Sequence, residues 1–324
     1  FKVKIQKNPR YVKKECTTCG DCVEVCPVEV PNEFEVGLTW RKAIYILFAQ
    51  SVPALYLIDE KSCLGLDPNT CAKCKEVCGP DAIDFSDKVE EVEVEVGTIV
   101  VATGLDVYDP VDFTEYGFRK YLNVIDSMEF ERLINAGGPT GGHLVRPSDL
   151  EIPKSVAFIQ CIGSRSEKKG SPYCSNVCCM NTIKDCLLIK EHWPETKLYV
   201  FYMDIRAYGK GFEDLYKRAK REGVIFIRGL PGEIVEDKDT NNLRLIGEDM
   251  SLNKFYSIES EMVVLSVGFE PREDSGVVQR LLTLSKTTDG FFMEAHPKLR
   301  PVDTPTGGVF LAGCAEAPKD IKDS

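Results

Sequence analysis

Apolar positions recur along this chain with two different periods, and the changes between them mark out its parts. FKVKIQKNPRY (Phe1–Tyr11) alternates apolar and polar positions as a half-buried strand does, and it begins with no cap or start signal. VEEVEVEV (Val89–Val96) repeats the alternation with glutamates on its polar side. Continuous apolar runs follow at GTIVVATG (Gly97–Gly104), Val156–Gln160 and MVVLSVGFEPR (Met262–Arg272), the pattern of strands buried on both faces. Between the last two runs the expected order is strand Val156–Gln160, helix Asn176–His192, strand Lys197–Tyr202, helix Gly211–Glu222 and strand Val224–Arg228. Two hairpin-like strands, Gly232–Asp237 and Asn242–Gly247, complete it. Strands alternating with helices predict an α/β domain on a parallel sheet.

Within that domain, FIQCIGSRSEKKGSPYCSNVCCMNTIK (Phe158–Lys184) reads as a buried strand, a Gly/Ser loop and a helix from about Ser175. A nucleotide-binding fold places its glycine-rich phosphate loop at such a junction. Here G-x-G-x-x-G is absent and the loop carries Cys161, with Cys174, Cys178 and Cys179 expected at the helix start. Four thiols at a helix N-terminus suit an anionic metal cluster, because first-turn N–H groups and the helix dipole stabilise thiolates. The competing reading is buried packing cysteines. GGPTGGH (Gly137–His143) does not lead from a strand into a helix and is expected to be a connecting loop.

Composition changes this picture in one respect. Fourteen cysteines in 324 residues of an intracellular, cytoplasmic type of chain point to metal rather than disulfides. CTTCGDCVEVCP supplies Cys16, Cys19, Cys22 and Cys26 in the C-x2-C-x2-C-x3-C-P run of bacterial ferredoxins, with zinc as the alternative. Cys63, Cys71, Cys74 and Cys78 form a second run with a stretched first gap. By two-cluster logic Cys16, Cys19, Cys22 and Cys78 are expected to hold one [4Fe–4S] cluster, and Cys63, Cys71, Cys74 and Cys26 the other. The insert Pro31–Lys61 is longer than a minimal ferredoxin needs and is expected to pack against the neighbouring domain. A net charge of −11 argues against nucleic acid. There is no signal-peptide pattern at the start. No apolar run reaches the roughly 18 residues of a membrane span. Ala43–Ile58 is interrupted by Gln50, Ser51 and Pro53 and is expected to be buried or interfacial.

GTIVVATG resembles the crossover where two-dinucleotide flavoproteins leave their flavin domain, which makes Ala102, Thr103 and Gly104 candidate cofactor contacts. Met262–Arg272 looks like the return crossover. TPTGGVFLAGCAEAPKDI (Thr304–Ile321) resembles the strand and turn that close over the flavin, with Gly313, Cys314, Pro318, Lys319 and Asp320 as candidates. Cys314 stands where such proteins carry an acidic residue, which weakens a generic disulfide-reductase assignment. The flavin domain's own glycine motif is missing, so the chain is expected to lack its N-terminal portion. The expected domains are 1–11, the end of a flavin-domain strand; 12–90, an inserted ferredoxin domain; and 91–151, flavin domain and crossover. Residues 152–270 form an NAD(P)H-domain-like unit carrying the third cysteine set, and 271–324 return to the flavin domain.

CTTCGDCVEVCPVEVPNEF, RKAIY, QCIGSR, YCSNVCCMNTIK and VFLAGCAEAPKDI together resemble the A-type subunits of heterodisulfide reductase, over nearly the whole chain. The resemblance implies a thioredoxin-reductase-like α/β two-dinucleotide-binding flavoprotein fold with an inserted α+β two-cluster ferredoxin domain. It also implies FAD and an extra cluster at Cys161, Cys174, Cys178 and Cys179. The implied activity is flavin-based electron bifurcation between a heterodisulfide reductase partner and ferredoxin. The implied partners are B- and C-type subunits and the small iron–sulfur subunit of a hydrogenase or formate dehydrogenase, with the chain a homodimer inside a larger complex.

A flavin that splits an electron pair needs one-electron exits in two directions, which three clusters would provide. A cation near flavin N5 would stabilise the reduced anion. Lys184, five residues past Cys179, is the candidate, with Glu131 as its partner; both have a solvated helix residue as the alternative. Cys186 is expected in the core, and His143, His192 and His296 in structural roles. Arg165 has three open readings: flavin, cluster or surface carboxylates. The competing functions are an NAD(P)H-oxidising iron–sulfur flavoenzyme and a non-catalytic, polyferredoxin-like electron conduit.

Overall fold

A computed structural model describes residues 1–66 and 70–324, and the chain divides into two compact units. The first comprises Phe1–Val96 together with Gly137–Pro139, and the second Gly97–Ala136 and Thr140–Ser324.

In the first unit, β1 (Lys2–Lys7) is followed by α1 (Asp21–Glu24), β2 (Val30–Pro31), β3 (Trp40–Arg41), β4 (Ile44–Tyr45) and β5 (Leu57–Ile58). Then come α2 (Lys73–Glu76) and β6 (Glu90–Glu95). β1 and β6 pair antiparallel, setting Lys2 opposite Glu95, Lys4 opposite Glu93 and Lys7 opposite Glu90. Opposite charges face across the ladder, so the two alternating segments are complementary rather than merely similar. The short pairs β2–β3 and β4–β5 fold up the long insert. Buried Ile44 and Ile58 from β4 and β5 join Tyr11, Val12, Cys22, Ala82 and Ile83 in a small core. The buried part of Ala43–Ile58 is therefore its two ends, while Leu47 and Val52 between them are exposed.

The second unit runs β7 (Ile99–Val101), β8 (Leu105–Val107), β9 (Val124–Asp126), α3 (Ser127–Leu133), β10 (Ser155–Ile162), α4 (Cys178–His192) and β11 (Lys197–Tyr202). It continues through α5 (Phe212–Arg221), β12 (Ile225–Arg228), β13 (Pro231–Glu236), β14 (Leu243–Asp249), β15 (Lys254–Ser260) and β16 (Met262–Val267). β17 (Phe269–Pro271), α6 (Ser275–Leu282) and β18 (Val309–Leu311) complete it. A parallel sheet has the order β12-β11-β10-β16-β9. Its two central strands, β10 and β16, are buried almost throughout, which is why they read as unbroken apolar runs. β13, β14 and β15 form an antiparallel sheet, and β7 pairs in parallel with β18, joining the GTIVVATG and VFLAG segments. This is the α/β layout on a parallel sheet expected from the sequence.

Three expectations need adjustment. β15 is an additional strand, and it sends Tyr256 and Ile258 of KFYSIES toward the core. The run Met262–Arg272 breaks at Gly268, where a Cβ would stand 2.3 Å from the Ser164 hydroxyl oxygen. Helix α4 starts at Cys178 rather than near Ser175, because Asn176 is left-handed (φ 60°) and Ser175 is buried in other bonds. Among the described residues no helix is long and apolar enough to cross a membrane.

Candidate functional site

In the first unit α1 and α2 repeat one local design. Each is a single turn whose second residue is a cysteine (Cys22, Cys74), with another cysteine two positions past its end (Cys26, Cys78). A turn this short aims the later thiol away from the earlier one, and the eight thiols sort accordingly. Cys16, Cys19, Cys22 and Cys78 line one cavity with about 350 Å³ of empty space, its mouth included. Cys26, Cys63, Cys71 and Cys74 line another of about 340 Å³. The fourth member of each set thus comes from the other cysteine run.

Backbone N–H groups of Gly65 and Ala82 donate to the Cys63 and Cys78 sulfurs at 3.3 and 3.2 Å. Burial and the neighbouring thiols push Cys22 up to about 12, and burial with Cys63 pushes Cys74 to about 11. A cationic centre favours the ionised form of crowded thiols, and the iron–sulfide core of a cluster would supply one. Among the described residues no three His, Cys, Asp or Glu side chains are close enough together to hold a single metal ion. The donor sets fit a group larger than one ion: four soft sulfurs around a cavity, with N–H groups turned toward sulfur.

The third set is built at the carboxyl end of β10. The β10–β16 register shifts between Ile159 and Ile162, and Cys161 sits in this irregularity with φ 62°. Bulges re-aim side chains in this way, and here the thiol leaves the pleat. The following loop folds back on itself: Ser171 N–H donates to Gly163 at 3.0 Å, Ser166 N–H to Ser171 at 3.1 Å, and Arg165 N–H to Tyr173 at 2.9 Å. Cys174 returns beside Cys161 as a result. Ser164 and Ser175 hydroxyls lie 2.6 Å apart, and Ser175 Oγ accepts from Phe269 N–H at 2.8 Å, which locks the loop's base. Cys178 and Cys179 then open α4.

Burial, the Cys179 charge and that of Cys174 push Cys161 to about 12 against the pull of Arg165. Burial and the other three thiols raise Cys178 further. Asn176 N–H reaches Cys174 Sγ at 3.4 Å, the Cys179 thiol faces the Asp204 carbonyl at 3.9 Å, and the positive charge of Arg165 favours the Cys161 thiolate. Arg165 also forks onto the Asp204 carboxylate. One sulfur thus accepts a backbone N–H bond and a guanidinium charge acts on another, both of which favour thiolates.

Next to this set lies the unit's large cavity, with about 1340 Å³ of empty space including its mouth. Cys178, Lys184, Glu131, Cys314, Lys319 and Asp320 all line it. Lys184 Nζ donates to Glu131 and lies 3.0 Å from Asp185 Oδ1. Asp185 is buried, with only 1% of its side chain exposed, and Asn181 Nδ2 donates to it at 3.1 Å. Burial and then Glu131 push Asp185 up to about 8, against Lys184. Burial works against the Lys184 ammonium, but Asp185 and Glu131 outweigh it and the group is raised.

The closing segment is tied to the cysteine loop by Asn176 Nδ2, which donates to the Pro318 carbonyl at 3.2 Å. Lys319 is ion-paired with Glu316, and Asp320 accepts from Asp323 N–H at 2.9 Å, so it caps the last turn. Gly313 is left-handed (φ 61°) and places Cys314 at the cavity. Ala102 and Thr103 are exposed at the end of β7, and Gly104 (φ 76°) has open space where a Cβ would stand. These three do not line the cavity, although the following Leu105 does. Its largely apolar lining, with Lys184 and Glu131 on one wall, suits a planar, tricyclic group such as an isoalloxazine.

The remaining candidates have structural surroundings. Cys186 is fully buried, His192 bonds the Leu188 carbonyl, and His296 accepts from Lys298 and Leu299 N–H groups. Asp185 and Asp204 are absent from the sequence-based candidates. Asp204 was signalled by its position just past the carboxyl end of β11, where parallel sheets place ligand groups, and Asp185 only by its adjacency to Lys184.

No family model matches the chain. Curated relatives match along all of it. An iron–sulfur A-type subunit of the CoB–CoM heterodisulfide reductase from Methanopyrus kandleri is 55% identical over 326 residues. The A-type subunit of the H2:CoB–CoM heterodisulfide, ferredoxin reductase of Methanothermobacter marburgensis is 52% identical over 326 residues. Each match covers 100% of this chain and 49% of the relative, so the chain spans about half the length of these relatives. Among solved structures, thioredoxin reductase from Lactococcus lactis superposes with a TM-score of 0.42 at 14% identity, over 72% of this chain and 62% of that one. A likeness that low carries no argument.

Proposed function

Along its whole length the chain is a homologue of the A-type subunits of heterodisulfide reductase, matching about half of that polypeptide, and from this premise we propose that it is the electron-splitting core of such a polypeptide. The single observation that carries the reading is the placement of the third cysteine set. Cys178 lines the same cavity as the Lys184–Glu131 pair, so a one-electron carrier and a cationic flavin site share a wall.

Bound in that cavity, FAD would supply two-electron chemistry that can be divided into single electrons. The chain's own part is to hold and bias it. Lys184 presents an ammonium paired with Glu131, and so favours negative charge on the cofactor beside it. Asp185 can hold a proton at a carboxyl oxygen next to Lys184 Nζ. Met128, Val177, Val267 and Phe269 line the cavity with apolar surface that limits water there. Three [4Fe–4S] clusters are assigned: Cys16, Cys19, Cys22 and Cys78; Cys26, Cys63, Cys71 and Cys74; and Cys161, Cys174, Cys178 and Cys179. The first two make the first unit an inserted ferredoxin domain.

The names of the relatives include H2, the CoB–CoM heterodisulfide and ferredoxin. For this chain the corresponding partners are B- and C-type heterodisulfide reductase subunits, an iron–sulfur subunit delivering electrons from a hydrogenase or formate dehydrogenase, and ferredoxin, in a complex containing two copies of the chain. The NAD(P)H alternative loses support at the β10–α4 junction, where thiols and the folded-back loop fill the phosphate position. The test is acceptor dependence in the full-length complex. Ferredoxin reduction that requires heterodisulfide supports bifurcation, and ferredoxin reduction at the same rate without it contradicts the proposal.

A further inference from the structure

The side-chain contacts of the third cysteine set lead to a residue that neither ligates a cluster nor lines the large cavity. Arg165 follows Cys161 by four positions in a loop whose backbone is pinned on both sides of it. Its own φ is 57°, and its N–H is committed to Tyr173, so its Cα position is fixed by the fold rather than by the side chain. From there the guanidinium forks onto the Asp204 carboxylate, and its positive charge favours the thiolate of Cys161. Asp204 is also approached by Arg206 Nε at 3.5 Å, and its own carbonyl faces the Cys179 thiol at 3.9 Å. A chain of alternating charge, Arg165, Asp204 and Arg206, therefore spans the two thiols at the loop's start and the helix's first turn. Only 23% of the Arg165 side chain is exposed, so its charge is partly shielded from solvent screening.

We infer that Arg165, oriented by Asp204, sets the reduction potential of the cluster held by Cys161, Cys174, Cys178 and Cys179. The inference rests on the cluster assignment made above. A four-thiolate [4Fe–4S] cluster is already anionic. One-electron reduction adds one further negative charge without making or breaking a bond. A guanidinium charge held beside the ligand sulfurs stabilises the reduced form more than the oxidised one and raises the potential. Asp204 opposes this by neutralising part of the cation. The two residues therefore act with opposite sign, which a purely structural role for the pair does not produce. Neither is a ligand; both are positioning residues acting through Cys161.

The experiment uses the full-length, anaerobically purified holoprotein, with iron counted and the clusters titrated with dithionite under EPR detection. Cys178→Ala identifies the signal belonging to this cluster. In Arg165→Gln the iron count is expected to hold while the midpoint of that signal becomes more negative, by about tenfold in the redox equilibrium, or 59 mV. Arg165→Lys restores most of the shift, and Asp204→Asn moves the midpoint the other way. An unchanged midpoint in Arg165→Gln with its iron intact overturns the inference. If Arg165→Gln loses the cluster, Asp204→Asn decides: a positive shift supports the inference, and no shift or a negative one overturns it. A parent protein without the Cys178-dependent signal defeats the cluster assignment itself, an outcome distinct from an unshifted signal.

Discussion

Cys178 and Cys186 are two cysteines on one helix that the structure treats oppositely. Cys178 faces three other thiols and the large cavity, while Cys186 is fully buried among apolar side chains. Cys178→Ala is expected to remove about four irons per chain, one cluster's worth. Cys186→Ala is expected to remove none while costing stability as a small cavity does. Iron analysis of both variants checks this. Asp185 gives a pH prediction. Its folded pKa of about 8 lies above its unfolded value, so the stability it contributes is present below about pH 4 and is lost as pH rises toward 8. Asp185→Asn should flatten that decline, read from denaturant melts across the window. A decline as steep in the variant would assign it to other groups, Glu129 first, since burial and Asp126 raise it to about 7. The twelve clustered cysteines were legible because ligand spacing is local. Asp185 was not, and Arg165 stayed open between flavin, cluster and surface carboxylates, because their roles depend on which side chains the sheet brings beside them.

The loop from Cys161 to Val177 is the element on which the third set depends. A Cβ on Gly163 would stand 2.3 Å from the Tyr108 ring, and one on Gly170 would stand 2.3 Å from the Gly163 carbonyl oxygen. Gly163→Ala should therefore open the loop, cost about 1–3 kcal/mol and lower the iron content by up to one cluster. Full iron at parental stability would show that Cys174 returns without that packing. In the first unit the insert is pinned by Arg41, which has 6% of its side chain exposed, pairs with Glu33 and Asp59 and stacks over the Tyr45 ring at 3.9 Å. Asp59 in turn bonds Ser62, next to Cys63. Arg41→Ala is expected to cost about 1–3 kcal/mol in urea unfolding. At this scale the strands of the parallel sheet were readable from their unbroken apolar runs. The start of α4 was not, since Ser175 and Asn176 suit a helix cap in sequence but are held in the loop by Ser164, Phe269 and Pro318.

For the whole molecule, the sequence pattern conveyed the two kinds of unit, one thiol-rich with very short elements and one α/β. Periodicity is a property of each element and survives without tertiary context. The cavity beside α4 was not readable in that way, because it is lined by residues as far apart in sequence as Leu105 and Lys322. The central claim is that one polypeptide holds three clusters and a flavin. Iron, sulfide and flavin quantified together in the anaerobically purified full-length protein test it most directly. For the part of the protein described by this chain, the expected result is about twelve irons and one FAD, with four of those irons lost in Cys178→Ala. Flavin with about eight irons and no loss in that variant, or twelve irons with no flavin, would contradict it.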